Sequence, residues 1–215
     1  MSILFLQFIL EIMFLILVFL HISKKSSEVV WAYMFQSLAL GIILFNSYLD
    51  SGSILLLVVV LLVLAIKVIL APLFFNRLIK KNALAFSVST YINTPLTLII
   101  ISSLTFIAYS HKFFPLTNII PGNHMLLALS LAVMFLSLFL IINRKGALSQ
   151  IIGVLSFENS LIAFVVFAGL EQSAWLQIGI LFDIFVWIII STVFTNMIYE
   201  QFGSLNVTVM NKLKD

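Results

Sequence analysis

The chain is built from apolar runs of about twenty residues separated by short polar punctuation, and that spacing leaves few folds open. Wound as helix, such a run crosses about 30 Å of hydrocarbon. Within a bilayer every backbone N–H and C=O must be satisfied by the protein itself, so only helices and closed barrels span it. Barrel strands are half as long and alternate apolar with polar residues, which these runs do not. Because 63% of the 215 residues are hydrophobic and 9% charged, no stretch is left to build a soluble domain that could hold a substrate. The expectation is an all-α, polytopic membrane helix bundle of about seven transmembrane helices, at 2–21, 29–47, 53–75, 84–109, 124–143, 148–169 and 174–198.

Basic residues near span ends mark the cytoplasmic side. With seven spans, one side collects Lys24, Lys25, Arg77, Lys80, Lys81, Arg144, Lys145, Lys212 and Lys214, while the other holds Lys112. That bias predicts an external N-terminus and a cytoplasmic tail. The same scatter of charge over four short segments argues against nucleic-acid binding, in spite of the net +3. No cleavable signal peptide is expected, since Glu11 interrupts the first run and no basic segment precedes it. Asn206-Val207-Thr208 matches a glycosylation triplet, but in a tail expected to be cytoplasmic.

Cysteine is absent, which excludes cysteine-ligated iron–sulfur and nickel–iron centres within this chain. His21, His111 and His124 fall at separate span ends or loops, where an interfacial structural role is expected, and no histidine or carboxylate cluster has metal-ligand spacing. There is no glycine-rich phosphate loop and no nucleophile with an adjacent base. No cofactor is expected in the chain, and any redox chemistry belongs to a partner.

Three ionisable residues lie inside apolar runs: Lys67, Glu158 and Asp183. Charges at that depth are costly and are retained where they face a protein interior or a watery path, often to carry ions or protons. On span six, Ser149, Gly153, Ser156 and Ser160 recur at spacings of four, three and four, a small-residue seam suited to close helix contact. Glu158 lies about 140° around from Gly153 at 100° per residue, so span six is expected to pack on one side and offer a carboxylate on the other. Glu158 and Asp183 reach similar depths, about 16 Å and 13 Å from the outer side. Desolvation and a nearby like charge raise a carboxylate pKa and a nearby cation lowers it, so such a pair can take up and release a proton; the alternative is a pair that only holds helices together. For Lys67 the choice is a buried ion pair, with Glu158 or a carboxylate of another subunit, against snorkelling to the inner surface. Asn93-Thr94-Pro95 is expected to kink or unwind span four near its middle. Glu11, Gln36 and Gln150 are secondary polar candidates, expected to bond across helices.

The runs RKGALSQIIGVLSFENSLIAFVVF and LQIGILFDIFVWIIISTVFTNMIYEQFGSLNVTVMNKLK resemble the hydrogenase-4 component E family, whose C-terminal half is similar to the K subunit of respiratory complex I. The likeness is most specific in IIGVLSFEN, ILFDIFV and FGSLN, and LAIKVILAPLFFNRLIKK looks like the lysine-bearing third span of that family. The resemblance implies a membrane-arm subunit of an energy-converting nickel–iron hydrogenase or related complex-I-like assembly. It implies a four-helix module over 1–122, a three-helix K-like module over 123–199 and a cytoplasmic tail over 200–215. Its second-span carboxylate maps to Glu158, while Asp183 stands where the K subunit has glutamate. The implied partners are antiporter-like membrane subunits, membrane subunits resembling the H and J subunits of complex I, and a peripheral hydrogenase module carrying the iron–sulfur and nickel–iron centres, in a prokaryotic inner membrane. A stand-alone small transporter and an accessory scaffold of the same complex remain as alternatives.

Overall fold

The computed structural model describes residues 3–81, 88–110 and 124–168, with isolated positions between 178 and 193. Asp183 lies outside the described residues, as do most of the expected seventh span and the whole tail 200–215. Apart from isolated bridge positions, Thr90 and Arg144 pairing antiparallel among them, the described residues are helical or loop.

The helices follow the apolar runs: α1 (Ile3–Ile22), α2 (Ser26–Ser51), α3 (Ile54–Val63), α4 (Ala71–Lys81), α5 (Thr94–Ala108), α6 (His124–Asn143) and α7 (Ala147–Phe167). Among them are five segments long and apolar enough to cross a membrane, α3 and α4 counting as one through the π-helical stretch Leu64–Leu70. The turn between α2 and α3 is set by Gly52, whose φ of 66° lets its N–H reach back to Tyr48 O, and by Ser53, whose hydroxyl accepts from Leu56 N–H. In the π-helical stretch the Ala71 N–H reaches Ile66 O, five residues back. Pro72 follows immediately; it has no N–H to donate and its ring crowds the Val68 carbonyl, which favours a widened turn at this point.

The fourth span differs from expectation. Instead of one helix over 84–109 with a central kink, helix begins at Thr94, and Asn93 is its N-cap: the Asn93 side chain accepts from Leu96 N–H, and Pro95 sits in the first turn. Proline needs no donor there, so the triplet that looked like a mid-span break is a helix start. At 15 residues α5 is about 22 Å long.

The extended residues before α5 find their backbone partners in the loops that gather at this end of the bundle. Val88 N–H donates to Lys24 O, Tyr91 N–H to Asn143 O, and Lys145 N–H to Ser89 O. Ile92 N–H donates to Asn143 Oδ1. Arg144, expected to be a surface charge marking topology, is instead 1% exposed and donates from Nη1 to Ser23 O at 3.0 Å; burial lowers its guanidinium to about 10, so it stays protonated at neutral pH. Because Lys24, Lys25 and Lys145 lie here too, we refer to this as the basic end. His21, at the last turn of α1, sits just inside it, with Nε2 3.0 Å from Leu136 O and its ring stacked on Phe139.

The apolar core runs through both halves of the chain, from Leu10, Met13 and Leu17 of α1 through Leu40 and Ile43 of α2 to Leu136 of α6 and Ile152 and Leu155 of α7. The small-residue face of α7 lies on α6. A Cβ at Gly153 would stand 3.3 Å from the Ile141 backbone, and Ser160 meets Ser137 hydroxyl to hydroxyl. That contact fixes the rotation of α7, and with it the direction in which Glu158 points.

Candidate functional site: a buried lysine–glutamate pair

Lys67 lies in the middle of the π-helical stretch and is fully buried. Thirteen residues of helix separate it from Ile54, about 20 Å, and ten separate it from Arg77, about 15 Å. Its ammonium does not snorkel. It donates to Glu158 Oε2 at 3.2 Å and to Asn159 Oδ1 at 2.7 Å. Glu158 is itself 8% exposed, so both charges are taken out of solvent and lipid together, the condition under which a charge can persist at this depth.

Three elements hold the pair. The π-helical stretch supplies Lys67, α7 supplies Glu158 and Asn159, and α2 supplies the groups behind them. Asn159 Nδ2 donates to Ser37 Oγ at 2.9 Å, so one amide bridges the ammonium and a hydroxyl of the facing helix. Next to it Gln36 Nε2 donates to Ser156 O at 3.3 Å. Gln36 Oε1 and Ser156 Oγ are buried and accept no hydrogen bond among the described residues. The pair is thus set in a small polar pocket within a core that is otherwise apolar.

Of the other polar candidates, Gln36 bonds across helices as expected. Gln150 donates from Nε2 to Arg144 O at 2.8 Å, which ties it to the basic-end loop and not to a second helix. Asn93 caps α5. Glu11 also departs from expectation: it is exposed on the outer side of α1 and its hydrogen bond is to Gln7 on the same helix, 2.9 Å from Nε2 to Oε1.

Asn159 and Ser37 are absent from the sequence-based reading. Asn159 was overshadowed by its charged neighbour, although a hydrogen-bonding side chain in an apolar run is itself informative; Ser37 follows Gln36 in the same way. Among the described residues no group of three or more histidine or acidic side chains is placed to hold a metal ion.

The chain is similar to an uncharacterized protein of Mycobacterium tuberculosis (strain ATCC 25618 / H37Rv), Rv0085, at 27% identity over 157 residues, covering 71% of this chain and 70% of the relative. No family model matches the chain, and no solved structure matches it.

Proposed function

We propose that the chain is a membrane-arm subunit of an energy-converting hydrogenase or a related complex-I-like assembly, and that Lys67 and Glu158 form part of its proton or sodium translocation path. The observation that carries this reading is the Lys67–Glu158 pair, at mid-depth in a membrane helix bundle and joined to Asn159. A carboxylate and an amine in contact can exchange a proton or trade a cation for the ammonium without stranding a net charge, which is what a relay through hydrocarbon requires. The resemblance of IIGVLSFEN and LAIKVILAPLFFNRLIKK to the component E family supports the same two residues. In this reading Asp183 continues the path on a seventh span, the N-terminus is external and the tail cytoplasmic. Redox chemistry, with its iron–sulfur and nickel–iron centres, belongs to a peripheral module, and antiporter-like and H-like and J-like membrane subunits adjoin the chain in a prokaryotic inner membrane.

The competing reading is an accessory scaffold in the same assembly, favoured by the way Asn159 and Ser37 tie the ammonium in place. Glu158→Gln separates the two, because it keeps the shape and the hydrogen-bonding capacity while removing the titratable proton. In the assembled complex, electron transfer to a soluble acceptor and complex yield should persist while ion translocation falls. Normal translocation in that variant makes Glu158 a structural residue.

A further inference from the structure

Helix α1 carries a charge on its exposed face, near enough to the residue that ends α5, Tyr109, to act on it. Its inner face, with Leu10, Met13 and Leu17, is buried. On the opposite face Leu4, Phe8, Leu15, Phe19 and Ile22 are exposed, and Glu11 is exposed among them. Spacings of four and three place these six positions within about 80° of one another at 100° per residue. Glu11 is about 12 Å from the Ile3 end of the helix and about 16 Å from the Ile22 end, near mid-depth. The apolar side chains of this stripe are at home in lipid. The carboxylate is not, and Gln7 satisfies one of its oxygens with a neutral amide that leaves the charge in place.

We infer that this stripe is a subunit interface seating a transmembrane helix of another polypeptide, one that brings a lysine or arginine to the depth of Glu11. The four-and-three spacing is the seam along which helices lie side by side. A groove of about 690 Å³ between α1 and α2 opens along the same side and shares Leu15 and Phe19 with the stripe, providing recesses for the incoming side chains. Among side chains a basic group is the complement, because it neutralises the carboxylate without a proton; a second copy of this chain packed on the same stripe would set Glu11 against its own like charge. The inference concerns the assembly contact alone and stands for any complex in which this chain is a subunit, whatever the redox module.

The test is made on the full chain in its native membranes. A benzophenone amino acid at Leu15 is photo-crosslinked and the joined peptide sequenced, and partner recovery after mild-detergent extraction is measured for Glu11→Leu and Glu11→Gln. The expected crosslink is to a transmembrane segment of a different polypeptide with lysine or arginine within about one turn of the joined residue. Partner recovery should fall at least tenfold in Glu11→Leu and less in Glu11→Gln, while the amount of chain in the membrane and its thermal midpoint stay unchanged. Glu11→Lys should lose the partner and regain it when the partner's basic residue is changed to glutamate. Crosslinks to lipid alone, to a second copy, or to the Lys112 segment of the same chain overturn the inference, as does undiminished recovery in Glu11→Leu. Because Glu158→Gln is read in ion flux and Glu11→Leu in partner recovery, either can fail without the other.

Discussion

Replacing Lys67 by methionine isolates what the buried pair contributes, because methionine fills nearly the same volume with no charge and no donor. Among the described residues Glu158 Oε2, 3.2 Å away, and Asn159 Oδ1, 2.7 Å away, then lose the ammonium. A carboxylate stranded by removal of a buried partner costs about 3–5 kcal/mol, and a buried amide oxygen without a donor about 1–3 kcal/mol. The first cost has a ceiling, because Glu158 can take a proton. For an ordinary glutamate of pKa about 4.3, being held neutral at pH 7 costs about 3.7 kcal/mol. With the apolar methionine offsetting part of the sum, the net loss is about 3–4 kcal/mol, or two to three powers of ten in the folded ratio. It should be read as the shift in an unfolding titration in mixed detergent micelles. The sign with pH follows from the ceiling. Protonation becomes easier by about 1.4 kcal/mol for each pH unit lowered, so the gap between Lys67→Met and the parent should narrow from pH 7 to pH 5. Combining Lys67→Met with Glu158→Gln removes the stranded charge and should recover about 2–3 kcal/mol of the loss. A single-variant loss under about 1 kcal/mol, a gap that does not change with pH, or strict additivity in the cycle would refute the reasoning.

Gly153→Leu should separate α7 from α6, because a side chain there meets the Ile141 backbone at 3.3 Å and no rotamer can avoid it; loss of folded chain in mixed micelles is expected, and a parent-like unfolding curve would show that the two helices do not depend on this contact. Asn93→Ala removes the cap of α5 and should cost about 0.5–2 kcal/mol in the same unfolding titration, whereas Asn93→Asp, which keeps the acceptor, should cost little.

Much of the bundle could be read from hydropathy, because long apolar runs give a signal that tertiary context cannot override in a bilayer. The first, fifth and sixth spans begin and end within two residues of expectation. Span four was misplaced because a proline triplet has two meanings: in a helix interior it breaks, and at the first turn it starts. Residues 88–93 decide between them, and they do so through hydrogen bonds to Lys24, Asn143 and Lys145, contacts far apart in sequence. Arg144 shows the same limit. Counted as a loop charge, it is packed against Ser23 because three loops converge on it. The two faces of α7 were legible, since Gly153 and the serines are small in a helical period and Glu158 falls off that stripe. The direction of Glu11 was not, because a single carboxylate in an apolar run carries no period of its own.

The polar side chains around the pair are distributed unequally along the bundle. Between Glu158 and the basic end, α2 presents Gln36, which bonds to Ser156 O, and α7 presents Gln150, which bonds to Arg144 O in the loop at that end. Toward the other end α7 continues as Leu161 to Phe167 without a polar side chain, α3 is apolar from Ile54 to Val63, and α2 is apolar from Leu38 to Phe45. A charge leaving Glu158 in that direction would cross about 10 Å of apolar side chains on α7 alone, while Gln36 and Gln150 lie in the other. If the pair exchanges protons or ions as proposed, the described residues offer it polar groups toward the basic end and an apolar barrier toward the opposite one. In the proposed reading Glu158 would then be loaded and discharged from the basic end, and a passage across the membrane would need polar groups from beyond the described residues.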